Sequence, residues 1–294
     1  VADLLRILQG TGAKPQGTFQ GDAGLVDIDS GGVPTVTLAR PDGTAGPAPG
    51  TVTRVSLGTY TFVLGQQAEP TLYTVTWTGP VGGAATTITT FVEVVGAHLF
   101  TLAEARAYPL AGRTPLALTP EADLLAVRDE VTDDFAERGP VSVQRFARET
   151  HDGDGRAVLV LGEGLPLRVL SVTIDGAAQT LTGDFFLRPG AVLERSRGGW
   201  FPATQPQNVA VEYVHGFPRV PPAIRRAALV RAVAILSPSL AGQTVSGWTA
   251  PDGTTYSYDR TGQSRGGYVN HYSNPAVDGP LNWYGAKAGV LGFA

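Results

Sequence analysis

The residues whose types and spacing bear on chemistry are few. His151-Asp152-Gly153-Asp154-Gly155 has the opening look of a calcium loop. Such a loop needs a further acidic ligand at the third position and a closing Glu. Here Arg156 follows, then the apolar run Ala157 to Leu161, so the segment reads as a tight Asp/Gly hairpin turn. Gly162-Glu163-Gly164 follows a strand-like run, as a dinucleotide loop does. The third glycine is missing, however, and Pro166 opens another strand instead of the helix whose N-terminus would hold a phosphate. The four histidines, His98, His151, His215 and His271, show no metal-ligand spacing, and no Gly-x-Ser-x-Gly elbow is present. Arg225 and Arg226 open a helix-like stretch. They serve equally as phosphate contacts, as partners for a neighbouring subunit's carboxylates, or as solvated charges. No acid/base pair is nominated, so the expectation is a protein that is not an enzyme and takes no cofactor or metal.

The elements that position these residues fall into two domains, as expected for 294 residues at about 100–200 residues per domain. Hydrophobic residues make up 43% and charged residues 16%, and the 38 Gly and 22 Pro call for many turns. Together they point to a mainly β protein with some α. Without cysteine there is neither a disulfide nor a thiolate metal site. The net charge of −4 argues against a protein that grips DNA by its phosphates. No run reaches the roughly 20 apolar residues of a membrane span, and the first residues lack the basic and apolar regions of a signal peptide. A soluble protein made in the cytoplasm is expected.

Residues 1–97 are expected to form an immunoglobulin-like β-sandwich, with strands at 24–28, 35–39, 52–57, 59–64, 72–78 and 86–95 between Gly- and Pro-containing turns. The alternation in 72–78 places Tyr73, Val75 and Trp77 on one face, with Trp77 in the core. Residues 98–118 read as a linker with a helical turn or two near 101–107. Thr119-Pro120-Glu121 then opens a helix to Arg138, with Thr as N-cap and Pro in the first turn. Its apolar stripe is Leu124, Val127, Val131 and Phe135. A β region follows over 141–195.

The stretch 208–236, NVAVEYVHGFPRVPPAIRRAALVRAVAIL, reads as a strand, a Gly turn, a double proline and a helix with almost no polar face. That helix is expected to be enclosed by its own domain and by a neighbouring subunit. Residues 237–272 turn polar, rich in Gly and Tyr, and read as a long excursion, part hairpin and part loop. Tyr256, Tyr258, Tyr268 and Tyr272 give it the look of a contact surface.

The strand ending in Tyr213-x-x-Gly216, the Pro221-Pro222 pair and the Ala-rich helix resemble the head-to-tail adaptor (connector) proteins of tailed bacteriophages. The resemblance extends upstream through the 119–138 helix, the 141–161 hairpin and the 166–176 strand. Downstream it reaches Asn274-Pro275-Ala276-Val277-Asp278 and 281–284, which match a short C-terminal segment. It covers roughly residues 98–294.

What this resemblance implies is a structural virion protein whose adaptor domain (119–294) docks on the portal protein. It would form a ring of typically about twelve copies around the DNA channel and offer a platform for the next neck or tail-completion protein. DNA would pass without specific binding, and no membrane would be involved. Assembly would take place in the host cytoplasm, and the product would sit at the head–tail interface of the virion. Arg225, Arg226, Arg231, Tyr256, Tyr258, Tyr268, Trp283 and Tyr284 are the expected portal or intersubunit contacts. The competing expectation is a β-rich carbohydrate-binding or adhesin-type tail module that stacks sugars on Trp77, Trp200, Trp248 and Trp283.

Overall fold

The computed structural model describes residues 4–21, 24–108, 116, 119–138, 142–196, 199–236, 247–249, 255–257 and 275–290. The chain divides into two compact units, Val1–Gly96 and Ala97–Ala294, and is mainly β with a few helices.

The first unit contains β1 (Leu4–Leu8), β2 (Gln16–Thr18), β3 (Gln20–Gly21), β4 (Gly24–Leu25), β5 (Thr35–Ala39), β6 (Thr53–Ser56), β7 (Thr59–Thr61), β8 (Thr71–Val81) and β9 (Ala84–Val95). One sheet has the order β1-β9-β8-β5 and another β2-β7-β6. Strand β8 alternates as its sequence requires, and Tyr73, Val75 and Trp77 face a core shared with Tyr60 on β7, Phe62 and Leu64 just past it, and Phe19 just after β2. Trp77 is fully enclosed, stands 5.4 Å from the Phe62 ring, and donates from Nε1 to Thr90 Oγ1 at 3.0 Å. A buried indole N–H needs that acceptor. Gly82 and Gly83, both at positive φ, make the two-residue turn between β8 and β9. Their amides donate to the carboxylate of Asp29 at 3.0 and 2.6 Å.

Several strands in this unit differ from expectation. The strand expected over 24–28 shortens to β4, because Val26 and Ile28 turn inward to the core while Asp27 accepts from Gly58 N–H and Arg54. The strand expected over 59–64 stops at Thr61. Strand β1, parallel to β9, was not anticipated. Its Leu-Leu-Arg-Ile-Leu does not alternate, and the buried Arg6 is met by Glu93, its register partner 87 residues away, at 2.6 Å.

The second unit opens with α1 (Leu102–Ala107) and α2 (Glu121–Arg138). It continues through β10 (Arg145–His151), β11 (Val158–Val160), β12 (Pro166–Ile174), β13 (Ala177–Ala178), β14 (Phe185–Arg188), β15 (Val192–Arg195) and β16 (Val209–His215). It ends with α3 (Pro222–Leu236), β17 (Gly247–Thr249), β18 (Thr255–Ser257) and α4 (Pro275–Val290). The antiparallel sheet β10-β16-β12-β13 and the sheet β11-β15-β14 enclose Leu159, Leu161, Val172, Leu193, Phe201, Val211 and Tyr213. Helix α2 buries the expected stripe of Leu124, Val127, Val131 and Phe135 and packs on α3, which packs in turn on α4.

Helix α3 follows its punctuation. Pro221 and Pro222 supply no amide hydrogens, and the Pro221 carbonyl accepts the first helical bond, from Arg225 N–H at 3.0 Å. Ahead of it, Gly216 has φ +99°, and a Cβ there would stand 2.2 Å from the Val143 carbonyl oxygen, so the His215-Gly216-Phe217 corner admits only glycine. Ile224, Ala227, Ala228, Leu229, Ala232 and Val233 are buried within this one chain. Enclosure of the helix core therefore needs no neighbouring subunit. The C-terminal piece is also more than a short segment: it is a 16-residue helix with Pro280 inside it. Gly279, Pro280 and Gly285 weaken the helical signal, whereas Val277 and Leu281, four residues apart and both buried, supply the packing that outweighs it.

Candidate contact surface

The expected contact residues separate by what surrounds them. Arg225, in the first turn of α3, donates from Nη1 to Glu104 Oε1 at 2.7 Å. Glu104 is itself fixed by a capping box at the start of α1. It accepts from Thr101 N–H at 2.8 Å, and Thr101 Oγ1 accepts from the Glu104 amide at 3.1 Å. Burial would push the Glu104 carboxyl up; the bonds from Thr101 and the Arg225 guanidinium outweigh it and hold the carboxyl below its ordinary range. Arg231, farther along α3, reaches Asp134 Oδ2 on α2 from Nη2 at 2.9 Å and from Nε at 3.2 Å. Both arginines thus join elements within the unit. Arg226 lies between them on α3, exposed.

Trp283 and Tyr284, half-buried on α4, meet edge to face at 4.4 Å. Tyr284 also meets Phe217 edge to face at 5.7 Å, tying α4 to the corner after β16. Burial pushes the Tyr284 phenol up. Tyr256 sits on β18, in register with Trp248 on β17. Tyr258 and Tyr268 lie outside the described residues. Of the other tryptophans, Trp77 offers no ring face to a sugar because it is enclosed in the core, whereas Trp200 is 60% exposed.

One cluster has no counterpart in the sequence reading. Glu149 on β10 accepts from four donors: His151 Nε2 at 2.8 Å, Gly162 N–H at 2.8 Å, Glu163 N–H at 3.2 Å, and the Tyr213 hydroxyl. Burial raises its pKa, but the bonds from His151, Tyr213 and Gly162 prevail and lower it from 4.5 to about 2. The Tyr213 hydroxyl also accepts from the Glu163 amide at 3.1 Å, and burial together with the Glu149 carboxylate pushes that phenol well up. His215 Nδ1 stands 3.8 Å from Glu163 Oε2 at the loop's far side. A carboxylate with this pKa and these donors is a weak base at neutral pH. The arrangement therefore anchors the Gly162–Leu165 turn to the sheet. It also accounts for Tyr213 and Gly216 in Tyr-x-x-Gly: the first holds the turn, and the amide of the second donates to the turn's Leu165 carbonyl at 3.0 Å. The available signal was the alternation of Ala147, Glu149 and His151 along a strand whose apolar partners come from β16.

Among the described residues, no group of three or more His, Asp or Glu is placed to hold a metal, and no helix is long and apolar enough to cross a membrane.

No family model matches the chain, and no curated protein matches it. Solved structures show slight likenesses. The titin M3 domain is 14% identical with a TM-score of 0.20, covering 32% of this chain and 88% of that one. The titin A168169 structure is 11% identical with a TM-score of 0.23, covering 73% of this chain and 80% of that one. A DUF4785 family protein from Legionella pneumophila is 8% identical with a TM-score of 0.24, covering 75% of this chain and 48% of that one. Likenesses this slight carry neither fold nor function over to this chain.

Proposed function

We propose that this chain is a structural protein of the phage neck, which forms a ring on the portal, surrounds the DNA channel and receives the next neck or tail-completion protein. The observation that carries the reading is the order of elements within the second unit. Helix α2, strands β10, β12 and β16, the Gly216 corner, the double proline and α3 follow one another in the order on which the resemblance to connectors rests. The packing of α2 and α4 on a largely apolar α3 leaves charged and aromatic residues at its margins for contacts with other chains.

The first unit is read as immunoglobulin-like. Its sheet orders, β5-β8-β9 and β2-β7-β6, correspond to C-F-G and B-E-D of that sandwich, with β1 added in parallel beside β9. Gly17 on β2 against the Trp77 ring on β8 fills the inter-sheet centre, where antibody domains carry a disulfide. In a neck ring this unit braces adjacent neck, tail or capsid proteins.

Immunogold labelling of intact particles with an antibody to this chain tests the proposal. Gold confined to the junction of capsid and tail is expected. Gold at the tail tip or fibres, or none on particles with exposed epitopes, would overturn it.

A further inference from the structure

Two helices carry charges that their own ends disfavour. Helix α3 opens with Arg225 and Arg226, shortly after Arg219, and has no acidic residue in its first turn. The amide end of a helix is positive, so cations there raise the energy of the isolated fold. Glu104 answers Arg225. Arg219 and Arg226 are exposed, and among the described residues neither has a hydrogen-bond or ion-pair partner.

Helix α2 has the opposite mismatch. Asp123, Glu130 and Glu137 recur every seven residues on its exposed side, away from the buried Leu124, Val127 and Val131. Glu137 lies in the last turn, where the helix dipole is negative; Glu130 stands mid-helix, and Asp133 between them adds like charge at helical spacing. Among the described residues, Asp133 meets Arg145 at 3.7 Å, whereas no cation answers Glu130 or Glu137.

We infer that these two surfaces are the halves of one contact between copies of this chain: the acidic outer side of α2 in one copy receives Arg219 and Arg226 at the start of α3 in the next. Each mismatch is of the sign that relieves the other, and charge complementarity of this kind steers and orients association. Because the two patches differ, copies can add head-to-tail through this contact, and its repetition closes into a ring where the rotation permits. The inference rests on the neck-ring reading and names its subunit contact.

The test is sedimentation velocity of the full chain over a concentration series at low and high salt. The unmodified chain self-associates, less so as salt rises. Reversing one patch (Arg219→Glu with Arg226→Glu) or the other (Glu130→Lys with Glu137→Lys) weakens association by at least about tenfold. The chain carrying all four substitutions recovers it. Circular dichroism confirms that each variant folds, since all four positions are exposed. A monomeric unmodified chain, indifferent single-patch variants, or a four-fold variant no better than either would overturn the contact. So would loss of retention on a DNA duplex by the Arg219/Arg226 variant with association intact, which would give these arginines to phosphate. Neck labelling that persists while the charge reversals do nothing would leave the ring reading standing with a different contact. Charge reversals that behave as expected with no neck label would leave self-association without the neck.

Discussion

The Tyr213 hydroxyl donates to the Glu149 carboxylate across 64 residues of sequence, and the same oxygen accepts from the Glu163 amide. One phenol at the centre of the β10-β16-β12 sheet thereby joins a strand to a turn. Without it the turn's two amides would rely on Glu149 alone.

The two partners should differ in how much they matter. Tyr213→Phe keeps the buried ring and leaves Glu149 three donors, so it is expected to cost about 1–2 kcal/mol. Glu149→Ala strips the acceptor from all four donors and is expected to cost about 2–4 kcal/mol. Urea unfolding followed by circular dichroism measures both, and equal losses would contradict the anchoring role given to Glu149.

Acid should release the same anchor. The Glu149 carboxyl is lowered from 4.5 to about 2 in the folded protein. A depressed folded-state pKa means a contribution that is complete above about pH 4.5 and is lost as pH falls from there toward about 2. The urea midpoint is expected to fall over that window, and Glu149→Gln, which cannot titrate, should flatten part of the fall. An unchanged slope in the variant would assign the acid sensitivity to other carboxylates.

In the first unit, Gly17 is the position to probe. A Cβ there would lie 2.5 Å from Cδ2 of the fully buried Trp77, and the ring has no room to retreat with Phe62 on it. Gly17→Ala is expected to destabilise this unit by about 1–3 kcal/mol. The change should be visible as a red shift of tryptophan emission at lower denaturant, against a control substitution at the open turn residue Gly65.

The arginines of α3 should separate in a mutational series. Arg231 and Asp134 form a pair whose side chains are 26% and 15% exposed, so a double-mutant cycle on them is expected to show a coupling of about 1–3 kcal/mol. Arg226→Ala, at an exposed position, is expected to change the stability of the monomer by no more than about 0.5 kcal/mol. Thermal unfolding at low protein concentration distinguishes the two. A large loss at Arg226 would mean a partner within its own chain.

The elements whose signal is local were legible in the residues alone. The alternation in β8 put Tyr73, Val75 and Trp77 inward, the Leu124–Phe135 stripe oriented α2, and Pro221-Pro222 after Gly216 set the start of α3. In each case the side-chain period or the missing proline amide acts within a few residues. Tertiary structure decided what depends on distant partners. Strand β1 exists because β9 offers a parallel edge and Glu93 neutralises Arg6. Helix α4 forms through Pro280 because its packing on α3 outweighs its composition. The fates of Arg225 and Arg231 turned on Glu104 and Asp134, about a hundred residues away in sequence. Glu149 became an anchor only when the 162–163 amides and Tyr213 converged on it. A charge's role is set by what faces it in space, and no local period encodes that.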